Sequence, residues 1–402
     1  MFKSCILIAS TLILLSHIGH IKNLNQEIQT EFVAIFLLSI TGSFVAISAR
    51  DLIVLFLGLE LQSLPAYILA AFATKSVKSS EAGLKYFILG ALSSAILLFG
   101  ASFIYGSVGH LDYEHISTSL EHHHNIATII GVSFVLIAIM FKLSVAPFHM
   151  WTPDVYEGAP IMSVTIFSSV HKIAAVAVFV NIIALMIGKF SYDFISILKV
   201  FAGLSLIVGA LGAIFQKSVK RLMAYSAILN VGYIMLAIIA AISLDMWRHS
   251  FFTYIVIYAV SVIALFSLLA ITFGEKADDL KLNDLSGLGK TKKTAACCIS
   301  IVMFSMIGIP PLAGFFGKYY VLFDLISIEE YGLVVIAIVA SLVAAYYYLR
   351  VIKSIYFEEP TTQAVKLPLT LELVISITLC MAFLLCFIFG IAEYFTDLKL
   401  SI

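Results

Sequence analysis

Apolar runs of about 20 residues, the length that carries a helix across roughly 30 Å of hydrocarbon, recur from one end of the chain to the other. Twelve such runs are expected to be membrane spans: 3–20, 30–48, 51–73, 83–107, 126–147, 160–187, 198–215, 222–243, 250–273, 295–320, 331–352 and 369–392. The runs are continuous and lack the two-residue alternation of barrel strands, and only a helix of this length satisfies all its backbone groups in lipid. The predicted fold class is all-α, a polytopic membrane protein forming a single domain over 1–402. Its longest polar interruptions, 109–125 and 274–293, are too short to fold alone.

Composition agrees with this pattern. Of 402 residues, 61% are hydrophobic and 12% charged, against about a quarter charged in soluble domains. Lys and Arg number 24, as do Asp and Glu, so net charge points to no nucleic-acid partner and no acidic substrate. Cys5, Cys297, Cys298, Cys380 and Cys386 all fall in apolar runs without metal-ligand spacing and are expected to act as small hydrophobes. The apolar N-terminus has no small-residue cleavage site and leads into His17, Gly19, His20 and Lys22, so it is predicted to be a first membrane helix rather than a signal peptide.

Alternating the connections places Lys22, Lys75, Lys78, Lys217, Lys220, Arg221, Lys276, Lys281, Lys290, Lys292, Lys293, Lys353 and Lys366 on one face. Lys3, Arg50, Lys189, Arg248 and Lys399 fall on the other. Thirteen against five predicts that the first face is cytoplasmic or matrix-facing and that both termini lie opposite. Lys199 and Arg350 sit at span ends, where their stems can reach the interface.

The remaining basic residues, Lys85, Lys142, Lys172 and Lys318, fall within or beside apolar runs, as does Glu60. At about 2.5–3.5 kcal/mol each, four such lysines oppose insertion by on the order of 10 kcal/mol. Burial disfavours the charged lysine and a nearby carboxylate favours it, a balance that lets an amine load and release a proton. Glu60 needs a cation, with Lys142 or Lys85 the expected partner. Such a pair alone would suggest a staple between helices; five groups together point to proton or ion movement.

Two segments are expected to be broken helices. Lys142-Leu-Ser-Val-Ala-Pro147-Phe-His149-Met-Trp-Thr-Pro153 and Gly308-Ile-Pro310-Pro311-Leu-Ala-Gly314-Phe-Phe-Gly317-Lys318 each set a lysine beside residues that interrupt the helical ladder. Interrupted segments in both halves of a chain mark inverted-repeat transporters with an ionisable site near the midplane. His149 is a candidate proton relay beside the first break, whereas His171 is more simply an interhelical hydrogen-bonding residue. His122-His123-His124, near Asp112, Glu114 and Glu121, has metal-binding chemistry but is expected to be solvated loop. No nucleotide fingerprint, iron–sulfur cysteine cluster or nucleophile–base pair stands out, so any associated redox chemistry must reside elsewhere.

Leu57-Gly-Leu-Glu60-Leu-Gln-Ser-Leu-Pro-Ala-Tyr67, Ser79–Ser94 around Lys85, Phe141–Pro160 around Lys142 and His149, and Arg221-Leu-Met-Ala-Tyr-Ser226 resemble the subunit N family of bacterial respiratory complex I, the counterpart of mitochondrial subunit 2. The resemblance spans nearly the whole chain. It implies two inverted five-helix repeats, each with a broken helix, in one of the antiporter-like subunits of the membrane arm. It also implies Glu60 and Lys142 as the coupled pair of one half-channel, Lys172 as the central lysine and Lys318 as the lysine of the other half-channel. Lys85 and His149 fall on further polar positions of that axis.

The family further implies other membrane-arm subunits and the lipid bilayer as partners. NADH, flavin, iron–sulfur clusters and quinone are expected in partner subunits, with no cofactor bound by this chain. The expected location is the bacterial inner membrane, with the mitochondrial inner membrane as the alternative. Compared with the family, the chain is expected to begin near the third helix, about two spans short. The nearest alternative function is a subunit of a multi-component sodium/proton antiporter, which shares the lysine–glutamate logic. A purely structural scaffold would instead make the intramembrane charges dispensable.

Overall fold

The computed structural model describes residues 1–17, 26–123, 125–187, 191–244 and 250–359. The expected last span 369–392, Cys380, Cys386, Gly19, His20, His124 and the loop cations Lys22, Lys189, Arg248, Lys366 and Lys399 lie outside the described residues.

Nine helical segments among the described residues are long and apolar enough to cross a membrane, joined by shorter apolar helices. In chain order the helices are α1 (Phe2–Ser16), α2 (Gln26–Ser48), α3 (Leu52–Ala70), α4 (Val77–Val108), α5 (Tyr113–His123), α6 (Ile126–Leu143), α7 (Trp151–Gly158) and α8 (Ile161–Ser168). They continue with α9 (Val170–Asn181), α10 (Ser191–Ile214), α11 (Val219–Ser243), α12 (Ser250–Phe273), α13 (Leu288–Thr291), α14 (Lys293–Ile307), α15 (Ala313–Ser327) and α16 (Tyr331–Phe357). Side chains that bond the freed N–H groups mark several starts. Asp51 caps α3, Ser76 caps α4, Asn125 caps α6 and Ser218 caps α11.

Both expected breaks are present. Helix α6 ends at Leu143, Ser144 turns left-handed at φ 64°, and helix resumes at Trp151. Helix α14 ends at Ile307, Gly308 takes φ 92°, and α15 begins at Ala313. The 295–320 stretch is therefore two half-helices. The 160–187 stretch carries a discontinuity that its sequence did not reveal: α8 and α9 meet at Ser169, with φ −118° and ψ −75°. The 109–125 connection also contains a helix, α5, and the helix expected at 83–107 starts at Val77.

Packing sorts the helices into a core and a jacket. Helices α8, α9, α11 and α12 are sheathed by the others, with α11 buried along nearly its whole length. The jacket helices α4 and α16 expose apolar stripes such as Leu84, Phe87, Ile88 and Leu92 or Val335, Ile338, Val339 and Leu342. These suit lipid or an apolar partner surface. Where α4 crosses α6 the backbones nearly touch: a Cβ on Gly100 would lie 2.6 Å from the Gly131 carbonyl oxygen. Helix α1 packs into the body, its Ser16 accepting a 2.8 Å hydrogen bond from Ser267 of α12.

Candidate functional site

Glu60, Ser63 and Tyr67 lie on one face of α3, since positions three, four and seven apart stack along a helix. Glu60 accepts a hydrogen bond from Ser94 of α4, and Lys142 of α6 donates to Ser63 at 2.8 Å. The Lys142 Nζ also stands 6.0 Å from the centroid of the Tyr67 ring. Among the described residues no ion pair within 4.0 Å joins Glu60 to Lys142. The carboxylate and the amine occupy the same face of α3, each held by a serine hydroxyl.

Lys172, 1% exposed, belongs to the second half of the α8–α9 pair. Its ammonium donates to the Leu143 carbonyl and, at 2.7 Å, to Ser144 Oγ. It therefore satisfies oxygens released where α6 stops, at the negative end of that helix dipole. Trp151, the first residue of α7, presents its ring 5.9 Å from the same amine. Ser144 Oγ also accepts from Thr152 Oγ1 at 2.7 Å, tying the turn to the restarted helix.

Lys318 repeats this arrangement in the second half of the chain. Its Nζ donates to the carbonyls of Met306 and Ile307, both at 3.0 Å, at the end of α14. The amine lies 5.4 Å from the Tyr233 ring centroid. A cavity of about 20 Å³ beside it, enough for one water, is lined by Asn230, Tyr254, Tyr258, Ser261, Ser305 and Lys318 among others. From this cavity a hydroxyl–amide chain runs into the core: Tyr254 donates to Asn230 Oδ1 at 2.7 Å, and Asn230 donates to the Ser226 carbonyl at 2.7 Å.

Lys85 is placed differently from the expected axis. Instead of meeting Glu60 it pairs with Glu81 at 2.7 Å and Asp154 at 2.8 Å, in the first turns of α4. Asp154 and Glu157 of α7 in turn hold Arg221 at 2.7 and 2.8 Å. This charged ring borders an open cavity of about 240 Å³. Burial alone would raise the Asp154 carboxyl, but hydrogen bonds from Lys85 and Arg221 outweigh it and hold the group below the usual carboxylate range.

His149 sits partly buried in the turn between α6 and α7, where its carbonyl accepts from Thr152 N at 2.9 Å. His171 Nε2 and Ser39 Oγ share a hydrogen bond of 2.7 Å, linking α9 to α2. Of the cysteines in apolar runs, Cys298 is buried, Cys5 partly so, and Cys297 exposed. Among the described residues no disulfide links them.

Two ionisable residues escaped the sequence reading. Lys220, assigned to a loop, is 2% exposed and donates to the Ala159 carbonyl at 2.7 Å. Asp324, beyond the expected end of the span at 320, lies inside α15 and is 5% exposed. Asp324 is thus a buried helix carboxylate in addition to the half-buried Glu60. Its spacing of three from Val321 and seven from Gly317, on the buried stripe of α15, was the available signal, hidden by the misplaced helix end.

Buried amines beneath the carboxyl ends of two half-helices, with hydroxyls and a water-sized cavity beside them, define a polytopic membrane protein built to carry cations or protons. Residues 49–344 match the model of the family described as NADH:quinone oxidoreductase/Mrp antiporter, transmembrane, and the chain belongs to that family. NADH-quinone oxidoreductase subunit N of Rickettsia felis is 44% identical over 385 residues, covering 95% of this chain and 83% of that protein. A chain of respiratory complex I from Thermus thermophilus superposes with TM-score 0.77 at 29% identity, covering 95% of this chain and 84% of that one. A chain of the Mrp complex from Dietzia sp. shares the fold, with TM-score 0.83 at 21% identity over 98% of this chain and 82% of that one.

Proposed function

We propose that the chain is a proton-translocating subunit in the membrane arm of an NADH:quinone oxidoreductase of the bacterial inner membrane. Residues 1–402 act as one antiporter-like unit beside other membrane-arm subunits, and electron transfer from NADH to quinone takes place in those partners. NADH, flavin, iron–sulfur clusters and quinone belong to the partner subunits in this reading.

The observation that carries the proposal is the repeated placement of a buried lysine on the freed carbonyls of a broken helix, Lys172 on α6 and Lys318 on α14. Each amine has fixed acceptors when charged, and the water-sized cavity beside Lys318 gives its proton somewhere to go. Glu60 and Lys142 form the charge-bearing pair of the first half, Lys172 the link, and Lys318 the carrier of the second half. His149 serves as a relay at the first break. Lys85, at the mouth of the charged cavity, serves proton exchange with the aqueous phase.

The rival reading, a sodium/proton antiporter subunit, draws on the shared fold of the Mrp chain. The 44% identity to a subunit N over 95% of the chain favours the oxidoreductase. The deciding measurement is NADH-driven proton pumping by reconstituted assembled enzyme in sodium-free medium. Lys318→Met removes the charge, and Lys318→Arg retains one that does not release its proton near neutral pH. Both should abolish pumping while assembly survives. Normal pumping in either would refute the carrier role, and a sodium requirement in the parent enzyme would favour the antiporter.

A further inference from the structure

The connection between α4 and α5 brings two imidazoles to one carboxylate, outside the buried axis. His115 Nδ1 lies 2.6 Å from Asp112 Oδ1, and His110 Nδ1 lies 3.9 Å from Asp112 Oδ2. The two rings stack with centroids 4.2 Å apart and planes inclined by 17°. One donor atom from each residue fits within a 4.8 Å cluster. Helix capping explains part of this, since Asp112 also accepts from the His115 backbone N–H at 3.0 Å. It does not explain why His110, outside the helix, faces the second carboxylate oxygen.

We propose that His110, Asp112 and His115 form a site for a divalent transition-metal ion of the zinc class, with water in the fourth position. Two imidazole nitrogens and one carboxylate oxygen are a donor set that suits zinc. Ligand bonds of about 2.0–2.2 Å require the three donors to close on a common point. The side chains are free to do so, because all three are at least one-third exposed. The backbone beneath them is already fixed: Tyr113 N donates to the Arg50 carbonyl at 2.9 Å and Leu52 N to the Leu111 carbonyl at 3.1 Å. A bound ion would tie the end of α4 to the start of α5.

The test is equilibrium dialysis of zinc ion against the purified assembled enzyme depleted of zinc with its iron–sulfur clusters intact, comparing the parent with His110→Gln, His115→Gln and the triple variant H122A/H123A/H124A. The triple variant separates the proposed site from the neighbouring histidine run. One zinc site present in the parent and the triple variant should weaken in each glutamine variant, by more than the roughly tenfold typical of losing an outer-shell partner. Intact NADH:quinone activity in each variant checks assembly. Any other pattern, including equal binding by all four proteins or loss in the triple variant, overturns the proposal.

Discussion

A buried ammonium survives in a membrane only if its donors find acceptors, and the described lysines find them in two ways. Lys172 and Lys318 use carbonyls that a broken helix leaves unpaired, whereas Lys142 uses the Ser63 hydroxyl. The second solution is weaker, because a hydroxyl carries a smaller fixed dipole than the end of a helix. Ser63→Ala should therefore leave Lys142 short of a partner, at about 1.5–3 kcal/mol for a hydrogen bond to a charged group. The expected outcome is assembled enzyme whose pumping slows several-fold, and unchanged pumping would show that Ser63 does not hold the amine. Glu60→Ala should act more strongly, with pumping and coupled quinone reduction falling together, because it deletes a nearby charge that offsets the burial of Lys142. At the charged cavity the sign of the pH effect follows from Asp154. Its folded carboxyl lies below its ordinary value, so its stabilisation is fully present at neutral pH and is lost as pH falls below the carboxylate range. Asp154→Asn should lower stability by about 1 kcal/mol at neutral pH and flatten that acid-side loss, as thermal unfolding of the purified enzyme across pH would show.

The elements explain which features were legible in the sequence. Long apolar runs reveal helices because lipid leaves the backbone no alternative, and Pro and Gly next to lysine reveal the breaks near Leu143 and Ile307. The discontinuity at Ser169 was not legible, since Ser168-Ser169-Val170 contains neither Pro nor Gly; there the Ser168 and Ser169 hydroxyls donate to the Val164 and Thr165 carbonyls of the preceding turn. Lys85 was misplaced for a related reason. Hydropathy started its helix at 83, whereas Ser76 caps it two turns earlier, so Lys85 stands in the third turn of α4 with its side chain 41% exposed to the charged cavity. Glu81 is a local i,i+4 partner of Lys85, but Asp154 lies 69 positions away, and Arg221, which shares Asp154, lies 136 positions away, so neither forms a local pattern with it. Close helix crossings were equally hidden. At the α4–α6 crossing a Cβ on Gly131 would approach the Gly100 carbonyl to 2.7 Å. Gly131→Leu should consequently force these helices apart and prevent stable assembly, whereas Gly106→Leu on the open side of α4 should be tolerated. Equal yields of assembled enzyme from the two variants would show that the crossing yields without cost.

At the scale of the whole molecule, loop charge gives the orientation and a second, independent line groups the connections by face. The first is the thirteen-to-five distribution of basic loop residues, which predicts that the 216–221 and 274–293 loops face the cytoplasm. The second is contact between connections. Lys78 pairs with Asp279 at 2.6 Å, Leu282 N donates to the Lys217 carbonyl at 2.9 Å, and Arg350 reaches the Ile214 and Gln216 carbonyls at 2.6 and 2.7 Å. On the opposite face Tyr113 N meets the Arg50 carbonyl at 2.9 Å and Lys199 meets Glu330. Each of these contacts joins connections that the alternation of spans had placed on one face, so the described helices keep their up-down order despite the breaks. That consistency makes the labelling outcome all-or-none: no single loop can be reversed without also reversing its contact partner. Single cysteines at Lys217 and Lys276 should resist a membrane-impermeant thiol reagent in intact cells and react in inverted vesicles, while a cysteine at Glu114 should do the opposite. Labelling of Lys217→Cys and Lys276→Cys from outside, with protection of Glu114→Cys, would invert the orientation and reverse the direction in which the charged cavity beside Lys85 could exchange protons.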